Sequence, residues 1–214
     1  YHLSKVLRRS VGDPIEVLNG KGGVAQAECI SISSKQVIVR ISSACDHKKE
    51  KPRLRMVLAM TKGGKWEDQI KSLTELGVDR ITPLLSDRTE IKQDRRSFKN
   101  KVNKWAKLAM EACKQSGNPW FPRLDQPITL PEYLNDRSGL IWVASLAENT
   151  GPLKIDKQQN SYDIFVGPEG GWTESEESKF KEYGAKFFSL AKYTLRAETA
   201  GISALAVART QIID

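Results

Sequence analysis

The stretch YDIFVGPEGGWTESEESKF, Tyr162 to Phe180, decides how this chain folds. The apolar run Ile164-Phe165-Val166 predicts a buried strand. It stops at the corner Gly167-Pro168-Glu169-Gly170-Gly171, and a helix is expected to start at once from Thr173. Thr173 with Glu176 has the spacing of a capping box, in which each residue satisfies an otherwise orphaned backbone N–H. Glycines allow positive φ and close approach to the backbone. The corner is therefore either a tight structural connection or backbone kept bare so that a ligand can lie against it.

Outward from this stretch, strands and helices alternate. LRMVLAM (54–60), RITPLLS (80–86), GLIWVASL (139–146) and KFFSL (186–190) read as further strands, with Pro83 an awkward residue inside the second. WEDQIKSLTEL places Trp66, Ile70, Leu73 and Leu76 at helical spacing, and Gly77 follows as a stop. SFKNKVNKWAKLAMEACKQSG predicts a long helix with Val102, Trp105, Leu108, Ala109 and Ala112 on one face, lysines on the other, and Gly117 at its end. A last helix is expected from about Glu198 to Gln211. Near-continuous apolar strands separated by helices point to an α/β domain with a mostly parallel sheet.

Residues 1–47 have another rhythm. PIEVLNG, GVAQAECISIS and KQVIVRISS are short β-branched segments, and Asn19-Gly20 with Gly22-Gly23 supplies a turn between the first two. They predict a small antiparallel barrel or sheet. Residues 48–53 read as a linker, leaving 54–214 for the α/β domain.

Composition narrows the function. The 214 residues are 39% hydrophobic and 28% charged, as in a globular protein. No apolar run approaches the ~20 residues of a membrane span, and YHLSKVLRRS is too polar for a signal sequence. Cys29, Cys45 and Cys113 form no CxxC pair, which points to a reducing compartment. With His2 and His47 far apart, neither a transition-metal site nor a Ser-His-Asp or Cys-His catalytic set is expected. The net charge of +8 is concentrated in residues 1–55 and 86–116. That distribution suits a polyanionic partner such as nucleic acid.

GxGxxG and GxxxxGK[ST] are both absent, so the corner is neither a dinucleotide fingerprint nor a P-loop. A capped helix start also argues against phosphate binding there. At a second strand end, Arg196, Glu198 and Thr199 sit where a loop enters a helix. They form either a surface ion pair worth under ~1 kcal/mol or an anion-stabilising arginine with its neighbours.

In order along the chain, HLSKVLR, GD, NGKGG, TELGVDRITPLLSDR, EACKQSG, VGPEGGWTESE and LRAETA resemble the RsmE family of small-subunit (16S) ribosomal RNA methyltransferases, which make N3-methyluridine. The resemblance runs from His2 to about Ala208. It implies a SPOUT-type α/β domain with a deep trefoil knot, preceded by a PUA-like β-barrel that helps hold RNA. It also implies S-adenosylmethionine as cofactor, no metal, a homodimer and a cytoplasmic enzyme. The implied cofactor cradle is Ala144-Ser145, Gly167, Pro168, Glu169, Gly170 and Gly171, and the loop Leu190 to Arg196 including Tyr193 and Leu195. Arg196 would stabilise the developing charge on the uracil, with Glu198 and Thr199 orienting it and solvent receiving the proton. Arg8, Arg9, Lys65, Arg88 and the lysine-rich helix would contact RNA. The chain departs from the family pattern at Ser72, Asn118, Ala191 and Tyr193. A SPOUT enzyme with another RNA nucleotide as target, and an RNA-binding module without catalysis, are the competing readings. An unreactive module would need neither the glycine corner nor Arg196.

Overall fold

A computed structural model describes residues 10–33, 35–61, 65–89, 95–136, 139–146 and 150–213, with side chains of 95–97 left undescribed. β1 (Pro14–Leu18), β2 (Gly23–Ile32) and β3 (Val37–Asp46) form an antiparallel sheet in that order. The β1–β2 turn contains Gly20 and Gly22 at positive φ, +72° and +100°. Asn19 Oδ1 holds it by accepting the N–H groups of Lys21 at 2.7 Å and Gly23 at 2.9 Å. This turn also docks the sheet. Gly22 N–H donates to the Pro119 carbonyl and Phe121 N–H to the Gly20 carbonyl, both at 2.9 Å. A Cβ on Gly22 would fall 2.4 Å from the Trp120 ring.

The remaining strands are β4 (Arg53–Ala59), β5 (Arg80–Leu85), β6 (Arg123–Leu124), β7 (Ile128–Thr129), β8 (Leu140–Ala144), β9 (Ser161–Val166) and β10 (Lys186–Phe188). They make one parallel sheet ordered β10-β8-β9-β4-β5-β6, with β7 also against β5. Pro83 is accommodated because β6 pairs with Arg80 and Ile81 while β7 pairs with Leu84 and Leu85, so the proline faces the break between them. α1 (Lys65–Glu75), α2 (Arg95–Ser116) and α5 (Ala197–Thr210) share the core on one face with Met56, Leu58, Ile164 and Val166. α3 (Leu130–Asn135) and α4 (Glu174–Glu182) cover Val57, Phe165, Ile141 and Val143 on the other. The expected helical faces are buried at Trp66, Ile70 and Leu73 and at Trp105, Ala109 and Ala112. Gly77 and Gly117 end α1 and α2 at positive φ. α3, β6 and β7 had no counterpart in the sequence reading.

Two further findings bear on function. Leu205 on α5 is 0% exposed and belongs to the core, while Ile202 and Ala206 are half-buried and Val207 is exposed. Asn118 is also structural: its amide donates to the Thr74 carbonyl and its oxygen accepts from Trp120 N–H, both at 2.9 Å. No helix among the described residues is long and apolar enough to cross a membrane.

The segment joining the two sheets is fastened by Asp79. Its carboxylate meets Lys49 at 2.8 Å and Arg53 at 3.4 Å, accepts Leu54 N–H at 2.8 Å, and lies 3.9 Å from Arg209. Asp79→Asn leaves three cations facing a neutral amide. It is expected to cost about 2 kcal/mol, lowering Tm by roughly 4–8 °C in a chain this size. Calorimetric melting of the wild type and variant measures this directly.

Candidate functional site at the strand carboxyl ends

β8, β9 and β10 end side by side, and a cavity of about 290 Å³ opens between the loops that leave them. In parallel sheets this edge is where ligands bind, because both faces are occupied by helices. The first loop contributes Ala144, Ser145 and Leu146, the second Gly167, Pro168, Glu169, Gly171 and Trp172, and the third Ser189 through Leu195 apart from Lys192. Ala197 and Ala200 close the bottom from α5, and Glu177 of α4 stands at the side.

Trp172 holds this arrangement together. Its indole N–H donates to the Ala144 carbonyl at 3.0 Å, so the loop after β9 is tied to the end of β8. Its ring packs on Phe180 with centroids 4.9 Å apart. A Cβ on Gly167 would approach that ring to 3.0–3.3 Å, so Gly167 is bare to admit the tryptophan. Gly171, at φ +69°, donates its N–H to the Pro168 carbonyl at 2.9 Å and turns the chain. Gly170 points the other way: its Cβ position faces Arg88 at 3.3 Å, and its carbonyl accepts from the Arg88 guanidinium. Two of the three corner glycines thus serve packing and turning within the protein.

The helix start behind the corner is satisfied internally. The Thr173–Glu176 capping box is formed, and Glu176, 1% exposed, also accepts Asp87 N–H at 3.1 Å. Thr173 Oγ1–H donates to Asp87 at 2.9 Å. The loop after β5 and the corner are therefore tied together. The Thr173, Glu176 and Glu177 amides at the start of α4 are thus already bonded within the protein, and the described residues contain no group of His, Cys, Asp and Glu able to hold a metal.

Of the expected cradle residues, Ala144, Ser145, Gly167, Pro168, Glu169, Gly171, Leu190, Tyr193 and Leu195 line the cavity; Gly170 and Arg196 do not. Arg196 is the exposed N-cap of α5, its carbonyl accepting Ala200 N–H at 2.8 Å. Two residues on, Glu198 pairs with Lys65 at 3.0 Å. Its carboxyl is held below the usual range, first by its own backbone N–H and then by Lys65 and Arg196, against the opposing effect of burial. Its Oε2 is buried and has no hydrogen-bond partner among the described residues. Lys65 and Arg88, expected on RNA, each hold a protein partner here, Glu198 and the Gly170 carbonyl. Thr199 is exposed beside them, and Arg8 and Arg9 lie outside the described residues. Trp172, Phe188, Ala197, Ala200 and Glu177 were missed by sequence reasoning, while Thr194 falls within the expected Leu190 to Arg196 loop. Only Trp172, directly after the corner, carried a local signal.

Apolar walls with polar backbone at the rim suit a flat ligand that hydrogen-bonds at its edges. The family model described as an RNA methyltransferase domain matches residues 48–209, and one described as an RNA methyltransferase PUA domain matches residues 2–42. Ribosomal RNA small subunit methyltransferase E of Synechocystis sp. is 33% identical over 216 residues, covering 96% of this chain and 69% of that protein. Its namesake from Rickettsia conorii is 29% identical, with 98% and 85% covered. Among solved structures, a methyltransferase from Legionella pneumophila in complex with S-adenosylmethionine superposes with a TM-score of 0.89 at 30% identity, covering 98% of this chain and 87% of its own. Ribosomal RNA small subunit methyltransferase E from Neisseria gonorrhoeae, also bound to S-adenosylmethionine, does so at 0.88 and 26%, with the same coverage. The architecture is thus a SPOUT-type α/β domain behind a PUA-like domain, and the chain belongs to the RsmE family of small-subunit ribosomal RNA methyltransferases.

Proposed function

We propose that the chain is an S-adenosylmethionine-dependent methyltransferase acting on N3 of a uridine in 16S small-subunit ribosomal RNA. The observation that carries this reading is the apolar cavity at the ends of β8, β9 and β10 in a chain of the RsmE family. Its residues fit the cofactor. Leu190, Leu195, Pro168 and Ala200 offer walls for an adenosine body, and the capped α4 start suits a ligand without phosphates. When bound, S-adenosylmethionine supplies a methyl group already activated as a sulfonium.

The protein's part is orientation and charge. Ala144, Ser145, the 167–171 corner, Leu190, Tyr193 and Leu195 hold the donor, with Gly170 acting through its link to Arg88. Arg196, at the mouth, stabilises the negative charge that uracil acquires as its N3 proton leaves to solvent. Glu198, fixed by Lys65, orients that arginine. RNA lies along Arg8, Arg9, Arg88 and the exposed lysines of α2, among them Lys99 and Lys107. The working unit is a cytoplasmic homodimer with the knotted threading of its family, joined beside the half-buried outer side of α5.

Gly167→Val forces a side chain against the Trp172 ring. Overpacking of this kind typically costs about 1–3 kcal/mol. Titration calorimetry is expected to show at least a tenfold loss of S-adenosylmethionine affinity. Wild-type affinity in the folded variant would contradict the cavity assignment.

Glu198→Gln is expected to lower kcat while leaving cofactor affinity within about twofold, and Lys65→Met should do the same. Their effects should be less than additive, because both break one pair. The carboxyl of Glu198 is depressed, so its pairing is fully present above the unfolded value near ~4.3 and is lost only as pH falls through the lower folded value. The activity difference between wild type and Glu198→Gln should therefore persist from neutral pH down into acid.

A further inference from the structure

In a chain of net charge +8, the cavity has a charge pattern of the opposite sign. Among the described residues its ionisable lining is Glu169, Glu177 and the phenol of Tyr193, with no lysine or arginine. Glu169 is exposed at the corner. Glu177 is half-buried in the first turn of α4, where its own N–H donates to the Thr173 carbonyl at 2.9 Å. Of the nearby cations, Lys192 Nζ lies 5.8 Å from the centroid of the Tyr193 ring, Arg88 donates to the Gly170 carbonyl, and Lys65 pairs with Glu198. Arg196 stands at the mouth, outside the lining.

A helix start favours acidic residues for its own sake, and Glu174 and Glu176 share that turn with Glu177. Those two do not line the cavity; Glu177 does. Leu146, Val166, Trp172 and Phe188 in the same lining are apolar. Such surroundings screen a charge less than open water does.

This matters because the donor and the spent cofactor differ by one positive charge. S-adenosylmethionine carries a sulfonium; when its C–S bond breaks and the methyl group is bonded to N3, the sulfur retains the electron pair as a neutral thioether. Resting on the cofactor assignment above, we propose that Glu177, assisted by Glu169, is a specificity-determining residue that makes the cavity prefer the cationic donor to the neutral product. The same carboxylates that draw in the sulfonium lose their attraction once the methyl group has left, which favours product release. Glu177 contributes more than Glu169, because it is the less exposed of the two.

The test is calorimetric titration of the full chain with S-adenosylmethionine, S-adenosylhomocysteine and sinefungin, whose amine keeps a positive charge where the sulfonium stood. The wild type should bind the donor and sinefungin more tightly than S-adenosylhomocysteine. Glu177→Gln should shrink that ratio roughly threefold to tenfold, mainly by weakening the two cations, and Glu169→Gln should shrink it less. Raising salt should shrink the wild-type ratio as well, a measurement that needs no variant to fold. An unchanged ratio in Glu177→Gln, an equal loss for all three ligands, or a wild-type ratio insensitive to salt would overturn the proposal while leaving the cofactor site standing. A wild type that binds none of the three would overturn the cofactor assignment and this inference together.

Discussion

β9 is buried along its whole length, with α1, α2 and α5 over one face of its sheet and α3 and α4 over the other. A strand in that position can present nothing to a ligand from its sides, so chemistry is confined to the loops at its carboxyl end. The constraint explains the arrangement of the site. Ala144, Val166 and Phe188 end adjacent strands, and the three loops they release must converge. Even the polar residue inside β9 obeys it: Asp163, 0% exposed, faces Arg55 at 3.4 Å, and burial pushes its carboxyl up.

Convergence alone would leave three floppy loops. Trp172 prevents this by bonding to Ala144 and packing on Phe180, and Gly167 exists in its present form because the indole needs the space. On the outer side, Asp87 and Arg88 clamp the corner through Thr173, Glu176 and the Gly170 carbonyl. The cavity is therefore shaped before any ligand arrives, which reduces the ordering cost of binding.

Much of this was readable in the sequence, for identifiable reasons. The runs around Ile164 and Val143, the faces of α1 and α2, and the Thr173–Glu176 cap obey local periodicity and capping rules, which need no knowledge of distant contacts. β6, β7 and α3 were not readable, since two-residue strands and a six-residue helix have too little period to detect. The glycine corner was legible as a strand-end connection, but the packing demand on Gly167 was not, because the group that makes it is a side chain five residues later. The Asn19–Gly23 turn was legible as a turn; that it seats the β domain on Trp120 depends on residues a hundred positions away. Lys65 and Arg88 were read as cations available to RNA. Their partners, Glu198 and Gly170, are brought to them only by the tertiary fold.

In the proposed reading, a basic exterior meets the polyanionic substrate and the acidic, mostly apolar cavity holds the small cationic donor. The most direct test of that account is to incubate small-subunit ribosomal RNA lacking the modification with the purified chain and S-adenosylmethionine, then identify the nucleosides by chromatography and mass spectrometry. The account predicts 3-methyluridine, absent when the cofactor is withheld. A methyl group on any other nucleoside would contradict the target assignment, and no methylated nucleoside from free or assembled RNA would contradict the enzymatic reading itself.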